Sequence, residues 1–188
     1  SIGIRINPEY STQEGHEIYD PCAPGSRLGT TREQWQELMD EELVELLDGI
    51  HFHTLCEQNA DALEKTLAAV EEKFGDILPG LKWINFGGGH LITRSGYDVE
   101  LFVSLVIDFH NRYPHLKVIF EPGSAFAWQT GYLVSHVVDI VVDNGIKTAI
   151  LDVSFTCHMP DCLEMPYQPV VRGAELTDLT LVTEPHVY

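Results

Sequence analysis

Asn85-Phe86-Gly87-Gly88-Gly89-His90 follows the short apolar segment Leu81-Lys82-Trp83-Ile84, which we interpret as a buried strand. Three successive glycines at the end of a strand leave bare backbone, because no Cβ blocks the approach of a ligand. Their N–H groups can point toward one place, an arrangement that suits a phosphate group. A tight turn or close packing of strands is the plainer explanation for the same glycines.

A second strand-to-turn signal follows downstream, where Val118-Ile119-Phe120 runs into Glu121-Pro122-Gly123-Ser124. Two such loops, each after a buried strand, predict one ligand site at the strand ends of an α/β protein. The carboxylate of Glu121 could keep a cationic ring nitrogen protonated, since a nearby opposite charge favours the ionised form. The alternative is a surface glutamate that caps the next element.

The composition excludes several classes of protein. With 188 residues, the chain is expected to form one domain by default. Its 29 acidic and 11 basic residues give a net charge of −18, which excludes nucleic-acid binding and favours cationic ligands, or simply solubility. We expect no signal segment and no membrane span. The four cysteines are too few for a disulfide scaffold, so we expect a cytoplasmic location.

Strand and helix signals alternate along the first part of the chain, which predicts parallel strands. Glu33, three residues after Thr30, predicts a capping box at the first helix. The predicted elements are a strand over 2–6, a loop over 8–30, a helix from Thr30 or Thr31 to Leu47, a strand over 49–53, a helix capped by Asn59, a strand over 81–84, a helix over 98–112 and a strand over 117–120.

The pattern changes after Ser124. Two β-branched runs, 132–142 and 147–153, are joined at Asp143-Asn144-Gly145, a strong signal for a two-residue hairpin. We therefore expect βα units over 1–128, followed over 129–188 by the start of an antiparallel β domain and a substrate-side loop.

His53 is predicted at the carboxyl end of a strand, where side chains of a barrel face the ligand. A neutral imidazole there could stack on a flat cofactor ring, although a hydrogen-bonded core histidine is the simpler interpretation. By strand alternation we expect His51 to face away from His53, so that the two share no role.

The segment 157–164 contains Cys157, Cys162, one histidine and two carboxylates. A metal site is the obvious hypothesis, but the Cys-x4-Cys spacing is not a familiar zinc hook and no second Cys/His pair supplies the remaining ligands. We expect no metal here and a polar loop that lines a substrate pocket.

His53, the three glycines and Glu121-Pro122-Gly123, taken together, resemble the pyridoxal-phosphate decarboxylases of the alanine-racemase type, or fold type III. Ornithine, arginine and diaminopimelate decarboxylases are members of that family. The resemblance is greatest to its carboxynorspermidine (carboxyspermidine) decarboxylase branch. It covers nearly the whole chain and rests on the blocks Asp20-Pro-Cys-Ala-Pro-Gly-Ser-Arg-Leu-Gly29, His51-Phe-His-Thr-Leu-Cys-Glu57, Phe86-Gly-Gly-Gly-His90, Glu121-Pro-Gly-Ser-Ala125 and Ser154-Phe-Thr-Cys-His-Met-Pro-Asp-Cys-Leu-Glu-Met-Pro-Tyr167.

The resemblance implies an α/β fold, a partial (β/α)8 barrel that leads into an antiparallel β domain, in a homodimer with shared active sites. It implies that His53 stacks on the ring of pyridoxal 5′-phosphate, and that Glu121 pairs with the ring nitrogen. The remaining cofactor-binding residues implied are Gly87, Gly88, Gly89, Gly123 and Cys56. Cys56 stands where relatives have a serine, and Ser124 where they often have an arginine.

The substrate implied is a carboxylated polyamine, decarboxylated to norspermidine or spermidine. The residues near its end of the site would be Asp152, His158, Asp161 and Glu164. The charge of −18 would then attract the polyamine.

Two features depart from the family pattern. None of the five lysines stands in the context of the Schiff-base lysine, and the late Gly-Gly-x-x-Cys segment of the family is not present. Because a full barrel needs roughly 200 residues or more, we expect this chain to be an interior piece of a longer enzyme. The alternatives are a related diaminopimelate, arginine or ornithine decarboxylase, a non-catalytic cofactor- or polyamine-binding protein, and a Cys/His metal protein.

Overall fold

The computed structural model describes residues 1–13, 19–164 and 169–173. It divides the chain into two compact units, Ser1–Thr130 and Gly131–Tyr188. Part of the predicted long loop, 14–18, and part of the last motif block, 165–167, lie outside the described residues. No described helix is long and apolar enough to cross a membrane.

The first unit contains a parallel sheet of four short strands in the order β1-β2-β3-β4. Helices lie between consecutive strands, so the predicted alternation and the parallel pairing are confirmed. The elements of this unit are β1 (Gly3–Arg5), α1 (Arg32–Leu38), α2 (Glu41–Glu45), β2 (Gly49–His51), α3 (Ala60–Phe74), β3 (Trp83–Asn85), α4 (Val99–Arg112), β4 (Lys117–Ile119) and α5 (Gly123–Ala127).

The two faces of the sheet have different characters. Strand register places Ile4, Ile50, Ile84 and Val118 in one row across the sheet, and this row packs into the hydrophobic core. Since side chains alternate along a strand, the next residues form a row on the opposite face. That second row consists of Arg5, His51, Asn85 and Ile119. Polar side chains are thereby concentrated on the face away from the helices.

Helix α3 supplies much of the core. Its N-cap is Asn59, as predicted, and the side chain of Asn59 accepts a hydrogen bond from the Ala60 N–H. Leu63, Val70 and Phe74 are completely buried on one side of the helix. Each such side chain contributes about 1.5–3 kcal/mol relative to an exposed one. Helix α4, capped by Asp98, adds the buried Phe109.

Thr31, one of the two predicted caps, is the N-cap of α1, but the prediction of a single helix to Leu47 is wrong in two respects. The capping box joins Thr31 to Gln34, not Thr30 to Glu33, with reciprocal bonds of 3.2 and 3.1 Å. The helix also breaks at Met39, whose backbone is extended. Asp40 then caps α2, because its carboxylate accepts the Leu43 N–H at 2.9 Å. A second capping side chain within an apolar pattern thus starts a new helix.

The second unit contains the predicted hairpin, with antiparallel strands β5 (Val137–Asp143) and β6 (Ile146–Leu151). Both turn residues, Asn144 and Gly145, have positive φ, at 48° and 81°. Such a turn matches the twist of the strands and needs Asn and Gly at these positions. Two short helices follow, α6 (Phe155–His158) and α7 (Asp161–Glu164).

Candidate functional site

A pocket of about 420 Å³ lies where β2, β3 and β4 end. The carboxyl ends of parallel strands are the usual place for a ligand site, because the loops there converge. Six of the residues that the sequence indicated line this pocket: His53, Cys56, Gly88, Gly89, Glu121 and Gly123. Gly87 lies beside it, and its carbonyl oxygen accepts the Glu121 N–H at 2.8 Å.

His53 is half-buried, and its backbone and its ring are each held by one hydrogen bond. Its ring Nδ1 accepts the Gly88 N–H at 3.1 Å, while its carbonyl accepts from the guanidinium of Arg5 at 3.1 Å. Burial lowers the pKa of His53, and the charge of Arg5 lowers it further, against the opposing effect of Glu121. A backbone N–H can only be met by an unprotonated ring nitrogen, so His53 is neutral with its proton on Nε2.

The predicted separation of His51 from His53 is wrong. The two rings lie 6.4 Å apart. One ring nitrogen from each histidine and one carboxylate oxygen of Glu121 all lie within 4.8 Å of one another. Alternation places neighbours on opposite faces, so residues two apart share a face. Burial is also the largest cause of the lowered pKa of His51.

The side chain of Glu121 is half exposed and accepts one hydrogen bond. The amide of Asn85 donates to its Oε1 at 2.9 Å, and the Nε2 of His51 lies 3.7 Å from its Oε2. The hydrogen bond from Asn85 therefore holds this carboxylate in one place at the pocket.

The glycine loop passes between the segments that follow β2 and β4. Gly87 and Gly89 have φ of 69° and 83°, values that favour glycine. A Cβ on Gly88 would lie 2.6 Å from the carbonyl oxygen of Glu121 and 3.1 Å from a ring carbon of His53. The close packing considered from the sequence is thus present in the structure, and it brings bare backbone into the pocket wall.

Two of the three glycine N–H groups already have acceptors. The Gly87 N–H donates to the side chain of Asn85 at 2.9 Å, and the Gly88 N–H donates to His53. Within the described part of the chain, the N–H of Gly89 is left without such an acceptor. The donor most open to an anion is therefore at Gly89.

His90 packs beneath this loop and is 1% exposed. Its ring lies edge-on to Phe120 at 5.3 Å, and its Nε2 lies 3.4 Å from the Phe86 carbonyl. Burial lowers the pKa of His90 to about 4 from 6.5. His90 is thus a neutral support of the loop and not an acid or base in the pocket.

Acid is expected to destabilise the protein through His90. Between pH 6.5 and pH 4 the unfolded state binds more protons at this position, so the free energy of unfolding falls by about 3 kcal/mol as the pH drops through that range. Urea unfolding at pH 7 and pH 4.5 measures the change. His90→Leu should lose most of this pH dependence, whereas His110→Gln, on the exposed side of α4, should keep it. Identical pH dependence in wild type and His90→Leu would contradict the assignment.

Cys56 lines the pocket next to Glu57. Burial raises the pKa of the Cys56 thiol, and the Glu57 carboxylate raises it further. The thiol therefore stays protonated at neutral pH and is a weak nucleophile. It can still donate a weak hydrogen bond.

The predicted substrate residues all lie in the second unit. Both carboxylate oxygens of Asp152 are engaged: one accepts from Ser135 and from the His136 N–H, and the other lies 3.0 Å from the ring of His136. His158 bonds to the backbone of Ser154. Asp161 and Glu164 lie on α7. None of these four belongs to a candidate metal-ligand group within the described ranges.

Sequence reasoning missed several residues around the pocket. Tyr19 and Pro21 come from the long loop, and Leu55, Glu57 and Ser124 from the strand ends. Asn85 and Arg5 were also missed, although each lies in the polar row of the sheet. Counting back two residues from His53 and from Gly87 would have found His51 and Asn85, because residues two apart in a strand share a face.

The chain is similar in sequence and structure to decarboxylases. No family model matches the chain. A carboxyaminopropylagmatine decarboxylase of Synechocystis is 50% identical over 174 residues, which cover 93% of this chain and 44% of that protein. A carboxynorspermidine/carboxyspermidine decarboxylase of Campylobacter jejuni is 45% identical over 94% of this chain and 44% of that protein.

The crystal structure of the Campylobacter jejuni carboxynorspermidine decarboxylase, complexed with norspermidine, matches with a TM-score of 0.73 and 45% identity. The match covers 89% of this chain and 41% of that one. The predicted fold class, a partial barrel followed by an antiparallel β region, is confirmed. The chain spans less than half the length of the relatives it matches. Over nearly all of its own length, this chain is similar to carboxynorspermidine-type decarboxylases.

Proposed function

We propose that this chain forms the cofactor-binding part of a pyridoxal 5′-phosphate-dependent decarboxylase that acts on a carboxylated polyamine. The observation that carries the proposal is the convergence of His53, Gly88, Gly89 and Glu121 on one pocket. The relatives named for such substrates support it.

The donor set of the pocket fits this cofactor. A neutral imidazole offers a flat face for a pyridine ring, and the Glu121 carboxylate suits a protonated ring nitrogen. The N–H of Gly89 and the hydroxyl of Ser124, both in the pocket wall, suit a phosphate. Gly123 and Cys56 also line the pocket. The pocket has the size of a small-molecule site.

Bound pyridoxal 5′-phosphate supplies an electron sink for the electron pair left when carbon dioxide departs. Each residue then has a separate task. Glu121 would keep the proton on the ring nitrogen. His53 would cover one face of the ring and exclude water there, and its neutral state would avoid repulsion with that proton. Cys56, which stays protonated, would add no negative charge to the site.

The covalent anchor of the cofactor would come from another part of the native polypeptide. None of the five lysines lines the pocket. Lys73 and Lys82 pair with Glu9 and Asp48. The lack of a lysine in the wall of this pocket also favours a second candidate function, a protein that binds cofactor or polyamine without catalysis.

The substrate would be carboxynorspermidine, carboxyspermidine or carboxyaminopropylagmatine, and the net charge of −18 would attract any of these cations. We assign Asp161, Glu164 and His158 to the polyamine end of the site. Asp152 is also proposed for that end, as the resemblance implies. Diaminopimelate, arginine and ornithine are the alternative substrates. We also propose a cytoplasmic homodimer with shared active sites.

The native polypeptide, incubated with pyridoxal 5′-phosphate and reduced with borohydride, tests the proposal by intact mass and peptide mapping. One stoichiometric pyridoxyl-lysine outside this segment, with release of carbon dioxide from carboxynorspermidine, carboxyspermidine or carboxyaminopropylagmatine, is the expected result. Release from diaminopimelate, arginine or ornithine alone would assign the alternative reaction. Reversible cofactor binding with no adduct and no release would establish the non-catalytic function instead.

A further inference from the structure

The side chain of Asn85 bonds to two of the segments that meet at the pocket. Its Nδ2 donates to Oε1 of Glu121 at 2.9 Å, and its Oδ1 accepts the Gly87 N–H at 2.9 Å. Glu121 follows β4, and Gly87 belongs to the loop after β3. One amide therefore connects the carboxylate that follows β4 to the glycine loop that follows β3.

These two partners determine the orientation of the amide. Turning it over would set its oxygen against a carboxylate and its NH2 against a backbone N–H, which is unfavourable at both contacts. Asn85 also pairs with His51 and Ile119 in the sheet, so its backbone is held by the strand. The donor that faces Glu121 is consequently preorganised.

We propose that Asn85 is a positioning residue, which holds the Glu121 carboxylate at the pocket while it fixes the first glycine of the loop. This inference rests on the proposed function. Asn85 is not in the pocket wall and acts only through Glu121 and Gly87. An alanine at position 85 could bond to neither partner. An aspartate there could bond to Glu121 only while one of the two carboxyl groups is protonated.

The charges around Glu121 make that last distinction measurable. His51 and His53, from β2 and the segment after it, face the carboxylate, and Arg5 of β1 lies within range of both histidines. Burial keeps the two histidines neutral near pH 7. With aspartate at position 85, two carboxylates would stand at hydrogen-bond distance and share one proton. Loss of that proton at higher pH would push Glu121 away.

The affinity of the native polypeptide, with the lysine that would anchor the cofactor, for pyridoxal 5′-phosphate tests this inference. The dissociation constant of each variant is measured by equilibrium dialysis from pH 5.5 to 8.5 and divided by that of the wild type at the same pH. For Asn85→Asp the ratio is expected to be near 1 at pH 5.5 and about 10–100 at pH 8.5. That factor is the usual effect of losing a hydrogen bond to a charged group. For Asn85→Ala the ratio should be raised at every pH.

Asn111→Asp is the matched control, because it makes the same chemical change on the exposed surface of α4. Its ratio should stay near 1 throughout. Ratios for Asn85→Asp that do not change with pH, or that equal those of Asn111→Asp, would overturn the inference and leave the proposed function intact. A wild type that does not bind the cofactor at all would overturn the proposed function itself.

Discussion

Replacing Gly89 by alanine is expected to lower the free energy of unfolding by about 3 kcal/mol or more. The φ of 83° costs a non-glycine residue about 1–2 kcal/mol. The new Cβ would also collide with the backbone carbonyl of Leu55, which cannot rotate away as a side chain would. Overpacking of this kind adds about 1–3 kcal/mol. Urea unfolding of the native polypeptide measures the sum.

Gly96→Ala separates the two causes. Gly96 has a φ of 82°, nearly that of Gly89, but no atom lies within 4 Å of the place where its Cβ would be. Its replacement should therefore cost only the backbone term, about 1–2 kcal/mol. If both alanine variants lose the same stability, then the contact with Leu55 has no energetic importance and the loop owes its glycine to backbone conformation alone.

Glu121→Gln is expected to reduce kcat for decarboxylation by about 10²–10³-fold, the usual effect of removing one preorganised electrostatic group. Glutamine keeps the size of the side chain and an oxygen for the Asn85 amide at 2.9 Å, but it removes the negative charge. Without the nearby negative charge, the protonated form of the cofactor's ring nitrogen would be less favoured. Steady-state release of carbon dioxide from the substrate measures the effect.

Glu64→Gln removes the same charge from the exposed surface of α3 and should leave kcat unchanged. The fold of Glu121→Gln is expected to remain, because the Glu121 side chain is half exposed and its backbone N–H still bonds to Gly87. Unchanged kcat in Glu121→Gln would remove the carboxylate from the mechanism, whereas an equal loss in both variants would point to net charge instead.

Local signals explain why most elements were predictable. The cap at Asn59 and the Asn144-Gly145 turn each depend on a few adjacent residues, and both are present in the structure. The helix predicted through Leu47 failed where a second local signal, Asp40, competed with the apolar pattern. The error at His51 was of another kind, since the alternation of a strand was counted wrongly.

The sequence by itself determined the order of strands and helices, the hairpin, and the residue types at the ends of the strands: an imidazole, bare glycine backbone and a carboxylate. Spacing along the chain is sufficient for these features because they depend on neighbours. Only the tertiary structure decided that Asn85 reaches Glu121, 36 residues away, and that the Gly88 N–H reaches His53, 35 residues away. Both bonds depend on how adjacent strands are aligned, and that alignment is set by the packing of the Ile4, Ile50, Ile84 and Val118 row against the helices.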